Sequence, residues 1–431
     1  MLPALQTPIP GPRSLETAAR LRRVESRNVT YMDAEFPVFW ARAEGVNVWD
    51  VDGNRYLDWT SAFGVAGLGH TNPAVRDALV AQAGALLHGM GDVHPTPLKA
   101  ELCERLSALT FERWGAGGGK VILGNSGFEA VEAALKTALL HSGKPGVIAF
   151  QGAYHGLGYG ALEVAGTPYF REPFRAQLKE FAALLPFPKG PSADLESLKA
   201  EIERTLAARP IGAILAEPIQ GRGGEIVPPP GFLPMLRAIC DAHHILLLLD
   251  EIYTGFNRTG ALFACDHSSV IPDVICLGKG LTSGFPLSAC VGRAEVMDAW
   301  PESTGEALHT STFLGNPLGC AMALASLEQH AQPELAAHVR ERGERVKAAL
   351  QAMRAPHVVD LRGMGLLVGL ELDLDGAATN DLVKRALRDG LILLQSGPAG
   401  NVLAFTPPFA ISDEEIAFTA SKIREYLTAL P

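Results

Sequence analysis

An aspartate and a lysine in the middle of the chain, Asp250 and Lys279, each follow an apolar run. Ile245–Leu249 precedes Asp250, and Val274–Gly278 precedes Lys279. Apolar runs of this length suit strands that are buried on both faces of a parallel sheet, and ligands of such sheets bind beyond the carboxyl ends of the strands. A lysine that is partly buried there loses proton affinity and becomes a nucleophilic amine, able to form a Schiff base with an aldehyde. Taken alone, the two residues are better explained as a surface lysine and a strand-end aspartate.

Three other predicted strands also end in polar residues. Ser126 and Gly127 stand where a strand gives way to a helix, and their hydroxyl and free N–H groups suit an anion; alternatively, Ser126 is a simple N-cap of that helix. Tyr154, followed by His155, offers a ring that can stack on a planar ligand, or it is an ordinary loop residue. Glu217 follows the third of these strands. Five strand ends would thus bring a hydroxyl, an aromatic ring, two carboxylates and an amine to one edge of a sheet.

The elements that would hold these residues alternate between strand and helix along the chain. This alternation predicts a mostly parallel α/β sheet with right-handed crossovers. The predicted strands are Val121–Gly124, Gly146–Phe150, Gly212–Ala216, Ile245–Leu249, Val274–Gly278 and Leu287–Val291, and the predicted helices include Gly127–Leu140 and Gly231–Ala242.

A second, smaller domain is predicted from the two ends of the chain. Asn47–Trp59 predicts a β-hairpin around a turn at Asp52 and Gly53. From Val358 onward the pattern changes to strand, helix, strand, strand and helix, which is an α+β unit. We therefore expect residues 1–75 to form an N-terminal arm and hairpin that join the small domain, residues 76–330 to form the large domain, and residues 331–431 to form the C-terminal α+β domain.

The composition argues against several classes of function. The 431 residues carry a net charge of −10, which disfavours nucleic acid and acidic membrane surfaces as partners. The apolar runs are strand-sized, so we expect no membrane span. The six cysteines form no CxxC pair and His243-His244 lacks ligand spacing, so we expect reduced thiols and no metal site. The N-terminus shows no secretory signal pattern, and we predict a cytoplasmic protein.

Taken together, the motifs resemble those of the class III (ω-amino group) aminotransferases, which use pyridoxal phosphate (PLP) and have fold type I. The resemblance extends roughly from Glu35 to Leu427, and its motifs are WDVDGNRYLD, LGH, NSGFEAVEAALK, GAYHG, AEPIQGRGG, LLLDEIYTGFNRTG, LGKGLTSGFPLSA and HTSTFLGNPLGCAMA. It implies the α/β fold of a PLP-dependent transferase of fold type I, with a mostly parallel seven-stranded sheet in the large domain and a smaller α+β domain.

The resemblance also implies a role for individual residues. Lys279 would form the Schiff base with the cofactor and move the substrate proton, and Asp250 would keep the pyridine nitrogen protonated. The other implied contacts are Ser126, Gly127 and Phe128 with the phosphate, Tyr154 and Ile252 with the two ring faces, His155 and Tyr253 beside the ring, and Thr312 with the phosphate bound by a neighbouring subunit. The last contact implies a homodimer with shared active sites, or a dimer of such dimers.

Three positions depart from the family pattern. Ala404, in NVLAFTPPF, stands where many members carry an arginine that clamps a substrate carboxylate. Glu217 has therefore lost a partner, and would either face an amine or pair with Arg222. Arg222 stands where an acidic residue is common, and it is either a replacement carboxylate anchor or a solvated loop residue. Tyr253 replaces a frequent glutamine, and its phenol can hydrogen-bond in the same place.

These departures favour an amino donor that is recognised mainly by apolar contacts. We predict transfer of an amino group from a primary amine, an ω- or β-amino acid, or a bulky apolar amino acid to a 2-oxo acid by a ping-pong mechanism. Phe63 and Trp40 are candidate pocket aromatics, with core packing as the simpler role for each. Two alternatives stay open: an amino-acid racemase or epimerase of the same family, and a PLP-fold binding protein without catalytic activity.

Overall fold

The structure is a computed structural model that describes residues 1–430. Its helices are α1 (Pro12–Leu21), α2 (Ser61–Gly64), α3 (Pro73–Ala83), α4 (Pro97–Ser107), α5 (Gly127–Ser142), α6 (Tyr159–Val164), α7 (Pro168–Arg171), α8 (Leu195–Ala208), α9 (Phe232–His243), α10 (Ala294–Met297), α11 (Pro317–His330), α12 (Pro333–Ala352), α13 (Gly376–Arg388) and α14 (Asp413–Thr428). Its strands are β1 (Trp40–Glu44), β2 (Asn47–Asp50), β3 (Arg55–Asp58), β4 (Gly119–Gly124), β5 (Gly146–Phe150), β6 (Ala182–Leu185), β7 (Ile211–Ala216), β8 (Leu246–Asp250), β9 (Val274–Leu277), β10 (Ser288–Arg293), β11 (Val358–Met364), β12 (Leu367–Leu372), β13 (Leu391–Ile392), β14 (Leu394–Ser396) and β15 (Val402–Phe405).

The described chain forms two compact units. The large unit is Pro73–Ala337, and the small unit combines Met1–Asn72 with the chain from His338 onward. The domain boundaries expected at residues 75 and 330 stay a prediction. Each unit has its own sheet structure and is described by itself below.

The large unit is built on a seven-stranded sheet with the strand order β4-β10-β9-β8-β7-β5-β6. Neighbouring strands from β6 to β9 are parallel, and β10 runs antiparallel to both β9 and β4. Because β10 is reversed relative to both of its neighbours, β4 points the same way as β9. The carboxyl ends of β4, β5, β7, β8 and β9 therefore lie on one edge, and the predicted mostly parallel sheet is confirmed.

The central strands of this sheet are apolar on both faces. Every residue of β5, β7 and β8 is buried. In β8, Leu247 and Leu249 pack in a core that contains residues of α9, whereas Leu246 and Leu248 pack on the opposite face with Ala134 of α5. Uninterrupted burial is typical of a parallel sheet that helices cover on both sides. It leaves the ends of the strands as the places where polar side chains can reach a ligand.

The small unit contains two four-stranded sheets, ordered β1-β2-β3-β13 and β11-β12-β15-β14. The predicted hairpin is present as β2 and β3, and its turn contains Gly53 with a φ of 88°. The N-terminal arm belongs to this unit as well, where the main chain of Ala4 pairs with that of Arg55 in β3. The arm also contains helix α1, which the sequence analysis does not predict.

Two further elements differ from the sequence-based expectation. The sequence does not predict β6, because the four residues AALL are too short to show a period. The run from Val358 to Leu372, expected as one strand, forms the antiparallel pair β11 and β12, because Gly365 turns the chain with a φ of 55°. Within residues 1–430, no helix has the length and apolar character needed to cross a membrane.

Candidate functional site

The polar residues at the predicted strand ends lie along the carboxyl edge of the large sheet. Asp250 is the last residue of β8 and pairs in register with Cys276 of the neighbouring β9. Lys279 follows two residues beyond the end of β9, and Glu217 directly follows β7, the other neighbour of β8. We refer to Ser126, His155, Glu217, Asp250 and Lys279 as the strand-end cluster.

Asp250 is the buried carboxylate at the centre of the cluster. Its Oδ2 accepts a hydrogen bond from Nδ1 of His155 at 2.7 Å, and its Oδ1 accepts from the N–H of Ile252 at 3.0 Å. Burial lowers the proton affinity of His155, but the hydrogen bond and the charges of Asp250 and Glu217 outweigh it, so the pKa of His155 is raised. His155 therefore holds the Asp250 carboxylate in place through a charge-assisted hydrogen bond.

Lys279 lies in a turn that neighbouring side chains hold in place. Its φ is 41°, a left-handed conformation that is strained for any residue except glycine. The hydroxyl of Ser326 in α11 donates to the carbonyl oxygen of Gly280 at 2.9 Å. Gly280 also lies against Phe256, since a Cβ on this glycine would be 3.1 Å from the Cβ of Phe256. These contacts fix the backbone from which the Lys279 side chain extends.

The ε-amine of Lys279 lies 4.4 Å from the centre of the Tyr253 ring, and the lysine is half-buried. Burial lowers the pKa of Lys279, and the charges of Asp250 and Glu217 partly oppose the change. The lowered pKa of Lys279 agrees in direction with the expectation from the sequence. A larger fraction of this amine is unprotonated near neutral pH than for a solvent-exposed lysine.

Glu217 is buried, and main-chain amides bind both of its carboxylate oxygens. The N–H of Tyr154 donates to Oε1 at 2.9 Å, and the N–H of Gly221 donates to Oε2 at 3.1 Å. Burial raises the pKa of Glu217 to about 7; the charge of His155 and the two amides oppose this rise, whereas the charge of Asp250 adds to it. Glu217 therefore joins the loop after β5 to the segment after β7.

Ser126 precedes α5 and has a hydroxyl without a partner. The carboxylate of Glu129 accepts from the N–H of Ser126 at 2.9 Å, and the N–H of Glu129 donates to the carbonyl oxygen of Ser126 at 3.0 Å. The buried Oγ of Ser126 forms no hydrogen bond with any residue from 1 to 430. Ser126 and Glu129 nevertheless have the arrangement of a capping box, so Ser126 is the N-cap of α5. Its hydroxyl at the helix N-terminus also suits a bound anion.

Glycines at two of the strand ends lie against Ile252. A Cβ on Gly127 would be 3.0 Å from Cδ1 of Ile252, and a Cβ on Gly278 would be 3.3 Å from its Cγ2. Ile252 therefore packs between the start of α5 and the end of β9. A side chain at either glycine would require Ile252 to shift by a few tenths of an ångström.

The loop after β5 carries Tyr154 and is pinned to the start of α5. The Tyr154 ring packs edge-on against Phe170, with ring centres 5.5 Å apart and planes at 67°. Gly156 has a φ of 104°, and a Cβ there would be 2.4 Å from the Cβ of Phe128. Tyr154 is thus a positioned aromatic side chain rather than an unattached loop residue.

These residues fit PLP, the cofactor that the family resemblance implies. The unpartnered hydroxyl of Ser126 suits a phosphate, the carboxylate of Asp250 suits a protonated pyridine nitrogen, and the amine of Lys279 suits an aldehyde. Tyr154 and Ile252 supply a ring and an apolar side chain beside these polar groups. The donor set matches the phosphate, the ring nitrogen and the aldehyde of the cofactor.

The candidate substrate residues are divided between the two units. Arg222 is exposed in the large unit, with its guanidinium carbon 5.9 Å from the centre of the Tyr154 ring. Within residues 1–430 it does not pair with Glu217, so that alternative is wrong; main-chain amides occupy the Glu217 carboxylate instead.

Phe63 and Trp40 lie in the small unit and are 60% and 42% exposed. Core packing therefore accounts for neither of them.

Two more predicted positions concern the substrate carboxylate and a second subunit. Ala404 is buried in β15 of the small unit, opposite Gly369 of β12 and Leu394 of β14. Its methyl group supplies no charge at the position where the resemblance implies an arginine. Thr312 is exposed on the large unit of the single chain.

Sequence reasoning missed three residues that shape the cluster. Phe170 packs on Tyr154, Gly221 donates to Glu217, and Ser326 holds Gly280. Gly221 lies inside the motif AEPIQGRGG, which was the available signal. Phe170 and Ser326 follow no strand and belong to no motif, so only the packing of distant segments brings them to the site.

Comparisons with known proteins cover almost the whole chain. The family model described as Aminotransferase class-III matches residues 29–427. A 4-aminobutyrate aminotransferase of Mycobacterium leprae is 36% identical over 434 residues, covering 96% of this chain and 95% of that protein. A 5-aminovalerate aminotransferase of Pseudomonas aeruginosa is 38% identical over 400 residues, covering 88% of this chain and 91% of that protein. An amine transaminase from an uncultivated Pseudomonas species, solved in its PLP-bound form, superimposes with a TM-score of 0.85 at 30% identity, covering 94% of this chain and 98% of that chain.

Proposed function

The chain belongs to the class III aminotransferase family, and on that premise we propose that it transfers an amino group from a primary amine, an ω- or β-amino acid, or a bulky apolar amino acid to a 2-oxo acid in two half-reactions. The sequence-based predictions of the family, of fold type I and of PLP as cofactor are confirmed. The choice of donor and acceptor and the ping-pong order are the proposal.

The position of the Lys279 amine is the observation that carries this proposal. The amine is half-buried beside the Tyr253 ring, burial lowers its pKa, and the carboxylates of Asp250 and Glu217 act on it. A lysine of lowered pKa can serve both as a nucleophile and as a proton carrier near neutral pH. A structural lysine would instead be solvated or fully paired.

PLP, when bound, supplies an aldehyde that takes up the amino group and a ring that accepts electrons. Ser126 and the first N–H groups of α5 would hold its phosphate, Asp250 its ring nitrogen, and Lys279 its aldehyde carbon. His155 donates Nδ1–H to Asp250 and so keeps that carboxylate oriented. Nζ of Lys279, once unprotonated, accepts the proton that leaves the donor carbon and returns it during transfer.

The names of the relatives support donors with a terminal amine. The curated relatives act on 4-aminobutyrate and 5-aminovalerate by name, and the solved structure is an amine transaminase. Ala404 offers no charge for a carboxylate. We therefore expect this enzyme to accept primary amines that carry no carboxylate, in addition to amino acids whose amine is at the end of the chain.

We also propose a homodimer with shared active sites, or a dimer of such dimers, in the cytoplasm. The exposed hydroxyl of Thr312 would reach the phosphate bound by the second subunit. Exposed apolar side chains of the large unit provide a surface for that subunit; they are Leu86, Leu87, Met90, Val93, Leu308 and Phe313.

The half-reaction with donor alone tests the proposed activity. The PLP-loaded enzyme is mixed with butylamine, 4-aminobutyrate or a bulky apolar amino acid, and the cofactor absorbance is followed. An aminotransferase should convert its cofactor to the amine form with donor alone, and a 2-oxo acid should restore it. A racemase would invert a chiral amino acid without accumulating that form, and a binding protein would do neither. Failure of every donor to change the absorbance would overturn the proposed function.

A further inference from the structure

We propose that Arg222 is the residue that binds the carboxylate of the donor, and that it selects ω-amino acids over amines of the same length. The inference rests on the proposed function, because it assigns a substrate class to the same site. It starts from a short hairpin after β7 that presents this arginine beside the strand-end cluster.

Residues 220–226 form this hairpin, and hydrogen bonds make it rigid. The N–H of Gln220 donates to the carbonyl oxygen of Ile226 at 3.1 Å, and the N–H of Ile226 donates back at 2.9 Å. The side-chain amide of Gln220 donates to the carbonyl oxygen of Gln151 at 2.9 Å. The tip of the 220–226 hairpin, where Arg222 lies, is therefore fixed relative to the loop after β5.

Two aromatic rings position the guanidinium of Arg222. Its carbon lies 5.9 Å from the centre of the Tyr154 ring and 5.4 Å from the centre of the Phe170 ring. These separations fall within the range of cation–π attraction. Burial raises the pKa of Tyr154 and the Arg222 charge opposes the rise, which reflects the same proximity. The rings hold the guanidinium without neutralising it.

The charge of Arg222 is uncompensated in the described chain. Arg222 is exposed, and across residues 1–430 no carboxylate lies within ion-pair distance of it. Glu217 is occupied by the N–H groups of Tyr154 and Gly221, and Glu225 of the same hairpin is buried. A guanidinium held by rings and left without a counterion suits a bidentate carboxylate from a ligand.

The same hairpin reaches the reacting lysine through one shared ring. Gly221 lies close against Tyr253, since a Cβ on Gly221 would be 2.1 Å from Cδ1 of that ring. The centre of the ring is 4.4 Å from Nζ of Lys279. Arg222 directly follows Gly221, about 3.8 Å further along the main chain. A short substrate could therefore place its amine at Lys279 and a carboxylate at Arg222.

This arrangement differs from a clamp in the small unit, where Ala404 supplies no charge. A carboxylate bound at Arg222 would be the one distant from the reacting amine, as in an ω-amino acid. An amine with a methyl group in place of the carboxylate would fill the same space but leave the guanidinium unpaired. The structure thus assigns the carboxylate preference to Arg222.

The test compares 4-aminobutyrate with butylamine, which has a methyl group where the first has a carboxylate. Both are assayed with the PLP-loaded enzyme, and Arg222→Gln, Arg222→Lys and Arg204→Gln are prepared. We expect Arg222→Gln to raise the KM for 4-aminobutyrate roughly 10- to 100-fold more than the KM for butylamine. Arg222→Lys should raise the KM for 4-aminobutyrate by less than Arg222→Gln does, because lysine keeps the charge but loses the bidentate geometry. Arg204, an exposed arginine of α8, is the matched control and should change neither value.

A second measurement does not depend on turnover of 4-aminobutyrate. Butyrate lacks the amine, and its inhibition constant against butylamine should rise in Arg222→Gln and stay unchanged in Arg204→Gln. If the wild-type enzyme turns over both donors and Arg222→Gln leaves the ratio of the two KM values unchanged, Arg222 is not the carboxylate site, while the proposed function stands. If neither donor, nor any other in the panel, changes the cofactor absorbance of the wild-type enzyme, the proposed function fails and this inference fails with it.

Discussion

The strand-end cluster and the 220–226 hairpin lie side by side in the large unit, and the chain holds them in different ways. Asp250 is buried, accepts bonds from His155 and from the main chain, and sits in a strand with neighbours on both sides. Arg222 is exposed at the tip of a hairpin and is held only by ring contacts. The cluster would fix the cofactor chemistry, whereas the hairpin can change its side chains without disturbing the sheet. Substrate choice can therefore vary while the chemistry is kept.

The two regions are joined at Gly221 and Glu217. Gly221 lies on the Tyr253 ring and donates its N–H to Glu217. Glu217 also accepts from Tyr154, the residue whose ring lies near Arg222. Substitutions on either side of this junction should show how far the two regions are independent.

The largest effect is expected from Lys279→Ala, which removes the amine of the strand-end cluster and leaves the 220–226 hairpin unchanged. Loss of the proton carrier alone should lower the rate of the donor half-reaction by at least ~10²- to 10⁴-fold, for amines and ω-amino acids alike. The measurement is the rate of cofactor absorbance change with donor alone. Lys144→Ala, at an exposed lysine beyond α5, is the control. A loss of rate that is clearly larger for one donor than for the other, relative to the wild type, would contradict the division of roles.

The next effect concerns Glu217 at the junction and appears as a change in pH dependence. Burial raises the pKa of Glu217 to about 7 from its ordinary 4.5, so the folded protein binds an extra proton between these values. The stabilisation from that proton is present below pH 4.5 and is lost as the pH rises through about 7. Its upper limit is on the order of 3 kcal/mol in the free energy of unfolding.

Glu217→Gln should therefore flatten the fall in unfolding free energy between pH 5 and 7, which chemical denaturation at a series of pH values would measure. The glutamine keeps one acceptor for the two amides, so a constant loss of stability at all pH values is also expected. Glu196→Gln, at an exposed carboxylate of α8, is the control. Parallel curves for the wild type and Glu217→Gln would show that Glu217 does not titrate in this window.

The smallest effect is expected from Gly221→Ala, which changes the contact between the 220–226 hairpin and the Tyr253 ring. The added methyl group would meet Cδ1 of Tyr253 at 2.1 Å, so the ring or the hairpin must move. Overpacking of this kind costs about 1–3 kcal/mol of stability, seen as a lower Tm. Because the ring lies beside Lys279, turnover of butylamine and of 4-aminobutyrate should both fall. Gly84→Ala is the control, since its Cβ would be 3.5 Å from the nearest atom; an equal loss in both variants would argue against a specific contact.

Much of the fold could be predicted from local patterns in the sequence. β5, β7, β8 and β9 are short apolar runs that end in polar residues, and they appear in the structure within one or two residues of their expected bounds. β6 gave no such signal because it has four residues. The pair β11 and β12 was expected as one strand because a single glycine, Gly365, makes the turn between them.

The candidate site also contains residues that could be predicted from the sequence and contacts that could not. Asp250, Lys279 and Ser126 could be singled out because each follows an apolar run, and the main chain of a strand carries its last residue to the sheet edge. One of the two alternatives for Glu217, a pairing with Arg222, is wrong, because main-chain amides occupy the Glu217 carboxylate and the arginine lies near the rings of Tyr154 and Phe170.

The sequence by itself determined which residues end the strands and which polar groups are available, since the hydrophobicity of a segment and its periodicity are local properties of the chain. Only the tertiary structure decided which of them share a partner. Ser326 reaches Gly280, and His155 reaches Asp250 across 95 positions of the chain, through the packing of helices and loops on the sheet. Contacts of this kind depend on the order of the strands and the path of each crossover, and those are set by the folded core rather than by any one segment.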